Sequence, residues 1–325
     1  MDFVEPQIVR QEMDRLGSLG RPFLCAVDFE LTKGFIIPDP AQQSEVMYEV
    51  WGEGNKKGPI PKPINVSLKA YPMSQEEYAL RFEVVMAGLA RGDSYLVNLT
   101  VPTPIECSLE LAQIFALSDS PYQIFVPDNF VCFSPERFIQ IKEGLISTCP
   151  MKGTINAEIP NAEQIIMDDF KEAAEHATIV DLLRNDLSLK AREVRVNRYR
   201  YIDRIKTRQR EILQVSSEIV GRLPSDYPSH LGEILFRLLP VGSCSGAPKE
   251  STLRIIQKAE VGPRGFYTGV FGVFDGQNFD SGVLIRFIEK DGQRLLFRSG
   301  GGITAYSQMA SEYQEALEKI YLPFV

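Results

Sequence analysis

The sequence has few of the residues on which common catalytic and metal-binding sites depend. Only two histidines occur in 325 residues, His176 and His230, which excludes histidine-rich metal sites and most histidine-based catalytic triads. The five cysteines are scattered, without a Cys-x-x-Cys pair, so neither a disulfide framework nor a zinc site is expected. This cysteine usage fits a reducing compartment, and we expect a cytoplasmic protein.

Basic charge and long apolar runs are also lacking. Lysine and arginine total 35 against 43 acidic residues, which gives a net charge of −8. Without a basic excess the chain cannot neutralise a nucleic-acid backbone, so nucleic acid is excluded as a partner. No apolar run approaches the roughly 18 residues that a membrane helix needs, and residues 1–14 contain early acids where a signal peptide is apolar. The sequence therefore predicts a globular protein that binds neither nucleic acid nor membrane.

The apolar periodicity predicts a mixed α+β fold, because neighbouring strands are grouped and helices lie between the groups. Ser74 and Glu77 form a capping box that opens a helix ending near Arg91. Further helices are predicted over 162–187, from Pro248 and over 308–322. Strands are predicted over 95–101, within 122–148 and over 212–220, followed by an antiparallel meander of 266–274, 279–288 and 294–299.

Lys152 follows an apolar strand and precedes Gly153 and Thr154. Partial burial there would lower the pKa of its amine and make it a usable nucleophile. The alternative is an ordinary exposed lysine in a loop. The sequence alone leaves both hypotheses open.

Arg286 lies within the apolar run 283–288, where strand alternation would place it on one face with Leu284 and Ile288. A guanidinium on an apolar face is suited to a planar anion such as a ligand carboxylate, or to a structural salt bridge. Gly300, Gly301 and Gly302 end the next predicted strand, and their amides could hold an anion or simply form a flexible turn.

Two pairs of glutamates are spaced i,i+3, each on one predicted helix: Glu172 with Glu175, and Glu312 with Glu315. Glu175 shares its helix face with Ile179 and Leu182, so we expect it to point inward. Two inward carboxylates from different helices can hold Mg²⁺, whereas solvated helix faces are the simpler alternative.

The segment 242–249, GSCSGAPK, is not a phosphate-binding loop, because its spacing departs from G-x-x-x-x-G-K-[ST]. Cys244 within it has no histidine near it in sequence, so a glutaminase-type cysteine is not supported.

Six ordered motifs in this chain resemble those of the chorismate-utilising enzymes, from about residue 73 to the C-terminus. They are SPERF (134–138), PMKGT (150–154), IVDLLRNDL (179–187), GSCSGAPK (242–249), GFYTG (265–269) and GGG (300–302). The resemblance implies one α+β domain of two stacked antiparallel sheets with helices outside. Residues 1–63 would be a short N-terminal segment of the same domain, joined through the Gly- and Pro-rich stretch 52–63, and 64–325 the chorismate-binding catalytic region.

The resemblance also implies the site residues. Glu175 and Glu315 match the family's magnesium carboxylates, with Glu172 and Glu312 in support. Thr154, Tyr267, Arg286 and the amides of Gly300–Gly302 match groups that bind the carboxylates of chorismate.

Within the family the chain resembles the aminodeoxychorismate synthases, component I. Lys152 stands where those members have a covalent nucleophile and anthranilate synthases have alanine, and Glu136 matches the acid that protonates the leaving hydroxyl. Leu96 stands where isochorismate-type members have a water-activating lysine, and Asn98 also follows the aminodeoxychorismate pattern. In contrast, Gln214 replaces a histidine usual in the family, which leaves more proton transfer to Glu136.

The expected reaction converts chorismate and ammonia to 4-amino-4-deoxychorismate for folate synthesis. Ammonia would come free or from a separate glutamine amidotransferase subunit. The alternatives are anthranilate synthase component I, which also releases pyruvate, and a catalytically inactive scaffold subunit of the same fold.

Overall fold

The computed structural model describes residues 1–58, 65–206 and 211–324. In these residues the strands form two antiparallel sheets of nine strands each. The first sheet contains β1 (Phe23–Val27), β2 (Gly34–Pro38), β9 (Arg137–Lys142), β10 (Leu145–Thr148), β11 (Met151–Asn156), β12 (Arg192–Lys206), β13 (Glu211–Arg222), β15 (Val270–Phe274) and β16 (Phe279–Val283). Its order is β11-β13-β10-β9-β16-β15-β1-β2, and β12 also pairs with β13.

The second sheet contains β3 (Met47–Val50), β4 (Glu53–Gly54), β5 (Leu68–Ala70), β6 (Leu96–Cys107), β7 (Tyr122–Val126), β8 (Phe130–Ser134), β14 (Gly246–Ala247), β17 (Phe287–Asp291) and β18 (Arg294–Ile303). Its order is β14-β6-β18-β17-β8-β7-β3-β4, and β5 pairs with β6. The helices are α1 (Pro6–Ser18), α2 (Gln75–Ala90), α3 (Leu111–Leu117), α4 (Ala162–Asp168), α5 (Phe170–Ser188), α6 (Leu231–Leu238), α7 (Gly242–Ser245), α8 (Lys249–Ala259) and α9 (Met309–Glu318).

Side-chain alternation along the strands explains why the two sheets stack. In β1, Phe23, Cys25 and Val27 face a core shared with α1, α5 and α6. Leu24 and Ala26 point the other way, into a core shared with β3, β7 and β8 of the second sheet. A strand that is apolar on both faces must be covered on both. The first sheet is therefore covered by helices on one face and by the second sheet on the other.

Helices cover the outer face of the second sheet in the same way. One apolar cluster joins α2, α8 and α9 to β6 and β18, and another packs α3 against β7 and β8. The predicted α+β fold of two stacked sheets with helices outside is confirmed.

Strands from the N-terminal segment pair with strands from the rest of the chain. β1 pairs with β15 and β3 pairs with β7. Part of the predicted loop at 52–63 falls outside the described residues, and β4 lies in the part that is described.

The helix predicted after Ser74 is confirmed, including its capping box: Ser74 accepts from the Glu77 N–H, and Glu77 accepts from the Ser74 N–H. The single helix predicted over 162–187 is wrong. Asp169 leaves the helical conformation, and its carboxylate accepts from the N–H of Glu172 at 2.9 Å, so α5 begins there as a separate helix. The sequence predictions also missed α1, β1, β2 and β12.

The predicted three-strand meander is wrong in one essential respect. The segment 279–288 is not one strand, because β16 ends at Val283 and β17 begins at Phe287 in the other sheet. The N–H of Thr268 donates to Leu284 O at 2.8 Å, and the N–H of Phe133 donates to Arg286 O at 3.1 Å. These bonds turn the chain from the first sheet to the second. Arg286 consequently has a left-handed backbone with φ of 54° and lies on no strand face.

None of the helices described is long and apolar enough to cross a membrane.

Candidate active site

The glycine triplet lies inside β18 and not in a turn. It pairs with residues 98–100 of β6, whereas β17 pairs with the other edge of β18 only as far as Arg298. Lys319 Nζ donates to Gly300 O at 2.6 Å, so this carbonyl faces away from β6. In an antiparallel strand the N–H and C=O of one residue point to the same edge of the strand, and those of every second residue point to that edge too. The amides of Gly300 and Gly302 therefore face the edge that β17 leaves uncovered.

Lys152 of β11 reaches this strand from the first sheet. A β-carbon built on Gly302 would lie 3.3 Å from Lys152 Nζ and 3.1 Å from Leu96 Cδ1, so a side chain at this position would press on both residues. Lys152 Nζ is 3.4 Å from Glu175 Oε2, and the lysine side chain is 23% exposed. The amine of one sheet thus meets the glycine strand of the other.

The electrostatic surroundings of Lys152 differ from the sequence-based expectation. Burial lowers the pKa of its amine, but Glu175 and, at longer range, Glu172, Glu315 and Glu136 outweigh burial and raise it. The predicted lowering of the Lys152 pKa is therefore wrong. The alternative of an exposed loop lysine is also wrong, because Lys152 lies in a strand.

One carboxylate pair comes from the start of α5. Glu175 is buried, as its apolar neighbours on the helix predict, and Glu172 is half-buried. Gly153 has a φ of 72°, and a β-carbon on it would lie 3.2 Å from Glu172 Oε2. Burial and the neighbouring Glu175 raise the pKa of Glu172. The solvated-face alternative does not describe this pair.

The other carboxylate pair comes from α9. A β-carbon on Gly301 would lie 3.4 Å from Glu315 Oε1 and 3.6 Å from Glu312 Oε2. Glu312 is buried, whereas the Glu315 side chain is 49% exposed. Lys319 Nζ donates to Glu315 Oε1 at 2.7 Å. Burial lowers the pKa of Lys319 even though Glu315 opposes this effect.

The oxygen-only donor set of these four glutamates suits Mg²⁺ by its chemistry. Across residues 1–58, 65–206 and 211–324, no three Asp, Glu, His or Cys side chains are grouped closely enough to hold a metal ion. A lysine faces each carboxylate pair instead. The magnesium site therefore stays a prediction.

Glu136 lies where the chain leaves β8 for β9. Its Oε1 accepts from the Ser243 hydroxyl at 2.8 Å, and its N–H donates to Ser134 Oγ at 3.1 Å. Burial raises the pKa of the Glu136 carboxyl, which Ser243 and the charge of Lys152 partly oppose. A carboxyl group with a raised pKa is suited to donate a proton near neutral pH.

The predicted carboxylate-binding residues occupy three different settings. Arg286 lies at the crossover between the sheets, and its Nε donates to the Tyr321 hydroxyl at 3.1 Å. Tyr267 is buried, packs on the Phe287 ring at 6.0 Å, and has a pKa raised by that burial. Thr154 is exposed on β11, opposite Gln214. No hydrogen bond links these residues to one another among the described parts of the chain.

Sequence reasoning missed three residues that support the site. Ser243 and Lys319 have the contacts given above. Arg264 is 1% exposed, forms an ion pair with Glu260 at 2.6 Å, and donates to Cys244 O and Asn98 O at 2.7 Å each. Arg264 thereby connects α7, which contains Ser243, to β6, which pairs with the glycine triplet. The Ser243–Glu136 and Arg264–Asn98 bonds join residues more than 100 positions apart, which sequence spacing does not reveal. The Arg264–Glu260 and Lys319–Glu315 ion pairs, in contrast, are spaced i,i+4.

Comparison with known proteins identifies the family. The family model described as chorismate binding enzyme matches residues 39–323. The chain therefore belongs to the chorismate-binding enzymes, and the resemblance inferred from its motifs is confirmed.

Several relatives cover most of the chain. A *Haemophilus influenzae* protein named "Uncharacterized PabA-like protein" is 46% identical over 96% of this chain and 95% of its own length. Aminodeoxychorismate synthase component 1 of *Bacillus subtilis* is 31% identical over 80% of this chain, which spans 57% of that relative. Anthranilate synthase component 1 of *Haloarcula marismortui* is also 31% identical, over 76% of this chain and 52% of its own length.

Solved structures show the same fold. Anthranilate synthase component I of *Streptococcus pneumoniae* has a TM-score of 0.66 at 26% identity, covering 80% of this chain and 61% of its own. The menaquinone-specific isochorismate synthase of *Escherichia coli* has a TM-score of 0.73 at 17% identity, covering 98% and 82%. At that identity the second likeness concerns the fold alone.

Proposed function

We propose that this protein is an aminodeoxychorismate synthase component I, which aminates chorismate at C4 in folate precursor synthesis. The observation that carries the proposal is the position of Lys152. Its amine reaches the glycine strand of the opposite sheet, beside Glu175 and Leu96. A primary amine at this point can act as a nucleophile on a ligand bound along the strand.

In the proposed reaction the Lys152 ammonium first gives its proton to a carboxylate, for which Glu175 Oε2 at 3.4 Å is within reach, and the neutral amine then adds to C2 of chorismate. Both ring double bonds shift by one position, from C1=C2 and C5=C6 to C1=C6 and C4=C5, and the C4 hydroxyl, protonated by Glu136, leaves as water. Ammonia then attacks C4, both double bonds shift back, and the C2–nitrogen bond to Lys152 breaks. Lysine is regenerated, and the balance is chorismate plus ammonia giving 4-amino-4-deoxychorismate plus water.

The remaining site residues would bind the substrate. Arg286, Tyr267, Thr154 and the amides of the glycine triplet supply donors for carboxylates. Glu175 and Glu315, supported by Glu172 and Glu312, would hold Mg²⁺, which supplies positive charge to an anionic substrate. An acidic protein of net charge −8 must concentrate positive charge locally to bind a dianion.

Leu96 supports amination over hydration. Its Cδ1 lies 3.1 Å from the β-carbon position of Gly302 and so lines the same site as Lys152. An alkyl group cannot take a proton from water, so Leu96 cannot do what the lysine of isochorismate-type members does.

The nitrogen source follows from residues that the chain lacks. A glutaminase needs a cysteine activated by a base. Cys244 is buried, and burial raises the pKa of its thiol to about 12, the opposite of an activated nucleophile. We therefore propose that ammonia arrives free or from a separate glutamine amidotransferase subunit.

Product analysis tests the proposal. The protein is incubated with chorismate, magnesium and ammonium salt, and products are separated by liquid chromatography with mass detection. An aminated product that retains the enolpyruvyl group is expected. Anthranilate with released pyruvate would instead identify an anthranilate synthase, and no magnesium-dependent turnover would favour a scaffold subunit.

A second measurement addresses Lys152 directly. The protein is incubated with chorismate without ammonia, quenched in acid without a reducing agent, and analysed as intact protein by mass spectrometry. A chorismate-derived adduct is expected on the wild type and not on Lys152→Ala. Lys258→Ala, at an exposed position of α8, is the matched control and should retain the adduct. An adduct of equal yield on Lys152→Ala would refute the covalent role.

A further inference from the structure

Arg286 is held at its backbone in an unusual conformation. Its φ of 54° is left-handed, which for a residue with a long side chain costs on the order of 1 kcal/mol or more. The backbone is fixed on both sides, because Cys132 Sγ donates to Ile285 O at 3.1 Å and the Phe133 N–H donates to Arg286 O at 3.1 Å. The hydrogen bonds at the crossover therefore fix the backbone position of Arg286.

Tyr321 fixes the other end of the same side chain. The Arg286 Nε donates to the Tyr321 hydroxyl at 3.1 Å, and the guanidinium carbon lies 5.5 Å from the centre of the tyrosine ring. Neither terminal nitrogen of Arg286 makes a hydrogen bond or ion pair within the described residues. The contact to Tyr321 consequently leaves both terminal nitrogens available as a two-donor face.

The charge of Arg286 acts on the site itself. It lowers the pKa of Glu136 and that of Lys319, so Arg286 lies close enough to both groups for its charge to act on them. An arginine held only by Nε, with its terminal nitrogens available near these groups, can bind a carboxylate with two parallel hydrogen bonds.

We propose that Tyr321 is a positioning residue that orients Arg286 for a substrate carboxylate. This inference rests on the proposed substrate-binding role of Arg286. By holding Nε, Tyr321 removes rotational freedom that a flexible arginine would otherwise lose when the ligand binds. Tyr321 acts through Arg286 and does not touch the ligand.

The test is a double-variant cycle on the dissociation constant of chorismate, measured by calorimetry with magnesium present and ammonia absent. Tyr321→Phe keeps the ring and removes the hydroxyl. We expect it to weaken binding by about threefold to tenfold, the cost of ordering one long side chain when the ligand binds. In an Arg286→Gln background the same change should have no further effect. Tyr71→Phe removes the hydroxyl of another exposed tyrosine, whose ring faces Lys69, and is the matched control.

Steady-state rates add a readout that a general structural defect would not reproduce. Tyr321→Phe should raise KM for chorismate by the same factor and leave kcat within about twofold. Equal loss in the Arg286→Gln background, unchanged binding by Tyr321→Phe, or tighter binding would each overturn the inference. If the wild type forms anthranilate but Tyr321→Phe weakens binding only when Arg286 is present, the proposed function is refuted and the positioning role of Tyr321 stands.

Discussion

The two halves of the site contain the same kinds of residue in opposite electrostatic settings. Each half has one lysine and one pair of helix glutamates spaced i,i+3. In the half on the first sheet these are Lys152, Glu172 and Glu175; in the half beside the second sheet they are Lys319, Glu312 and Glu315. Carboxylates raise the pKa of Lys152, whereas burial lowers that of Lys319.

The cause of the difference lies in the neighbours. Four glutamates act on Lys152, whereas Lys319 has Glu315 on one side and the positive charges of Arg286 and Lys152 on the other. Burial alone therefore does not identify a nucleophilic lysine. Of the two amines Lys319 has the lower pKa, although the family resemblance implies that Lys152 is the nucleophile.

The largest expected effect separates the two lysines. Lys152→Ala should reduce kcat for amination on the order of 10³-fold or more, because a covalent step is lost. Lys319→Ala should reduce kcat/KM by about tenfold to hundredfold, because it removes the hydrogen bonds to Gly300 O and Glu315 Oε1 but keeps the nucleophile. Both rates are measured by product chromatography, with Lys258→Ala as the control. A larger loss for Lys319→Ala would assign the nucleophile to the other half.

Glu136 lies in the half of the site that contains Lys152, and substituting it is expected to have the next largest effect on kcat. Glu136→Gln should lower kcat by about 10²-fold to 10³-fold, because the amide cannot protonate the leaving hydroxyl. Ser243→Ala removes only a hydrogen bond to this carboxyl and should cost about threefold. Because the Ser243 hydrogen bond lowers the pKa of Glu136, the serine variant should raise it and shift the alkaline limb of the kcat–pH profile, where the acid loses its proton, to higher pH. Equal losses in the two variants would contradict the acid role.

Removing the metal tests whether the two carboxylate pairs act together. Chelation should abolish turnover, and Mg²⁺ should restore it. Glu175→Gln and Glu315→Gln should each raise the magnesium concentration needed for half-maximal rate by about tenfold to hundredfold, because each removes one charged ligand. A change in only one of the variants would place the ion in one half of the site.

The smallest expected effect concerns His176, for which the Lys319 half has no counterpart. His176 Nε2 and Ser217 Oγ form a hydrogen bond of 2.6 Å, and Ser217 Oγ also accepts from the Arg200 N–H at 2.9 Å. Burial lowers the pKa of this imidazole from 6.5 to about 4. The unfolded chain takes up the proton first, so stability is lost as the pH falls from about 6.5 towards 4.

The expected loss at pH 5 is about 2 kcal/mol relative to pH 7. Urea unfolding in the presence of a chelator measures it, and His176→Gln should remove most of this pH dependence. His230→Gln, at the exposed histidine, is the control. Equal pH dependence in wild type and His176→Gln would refute the prediction.

Much of the fold could be predicted because local patterns agree with it. The Ser74 capping box, the alternating strands and the motif order all act within short stretches of sequence. The crossover at 284–286 could not be predicted in this way. Its apolar residues read as one continuous strand, and only hydrogen bonds from Thr268 and Phe133 break that strand.

The site residues differ in the same way: some of their features follow from short stretches of sequence and others depend on distant residues. The inward position of Glu175 follows from its apolar neighbours on α5, and the structure buries it. The raised pKa of Lys152 could not be predicted, because it depends on carboxylates from α5 and α9 and on Glu136, which the fold brings together. Arg264 and Ser243 were missed for the same reason.

The crossovers between the sheets have a consequence for how the protein unfolds. Among the described strands, the chain passes from one sheet to the other five times: between β2 and β3, β8 and β9, β13 and β14, β14 and β15, and β16 and β17. Neither sheet consists of a continuous piece of chain, so neither can be cut out and retain its pairings. Most strand partners are also distant in sequence, which slows folding. We expect the described sheets to melt in a single cooperative transition and any truncation within them to disrupt both.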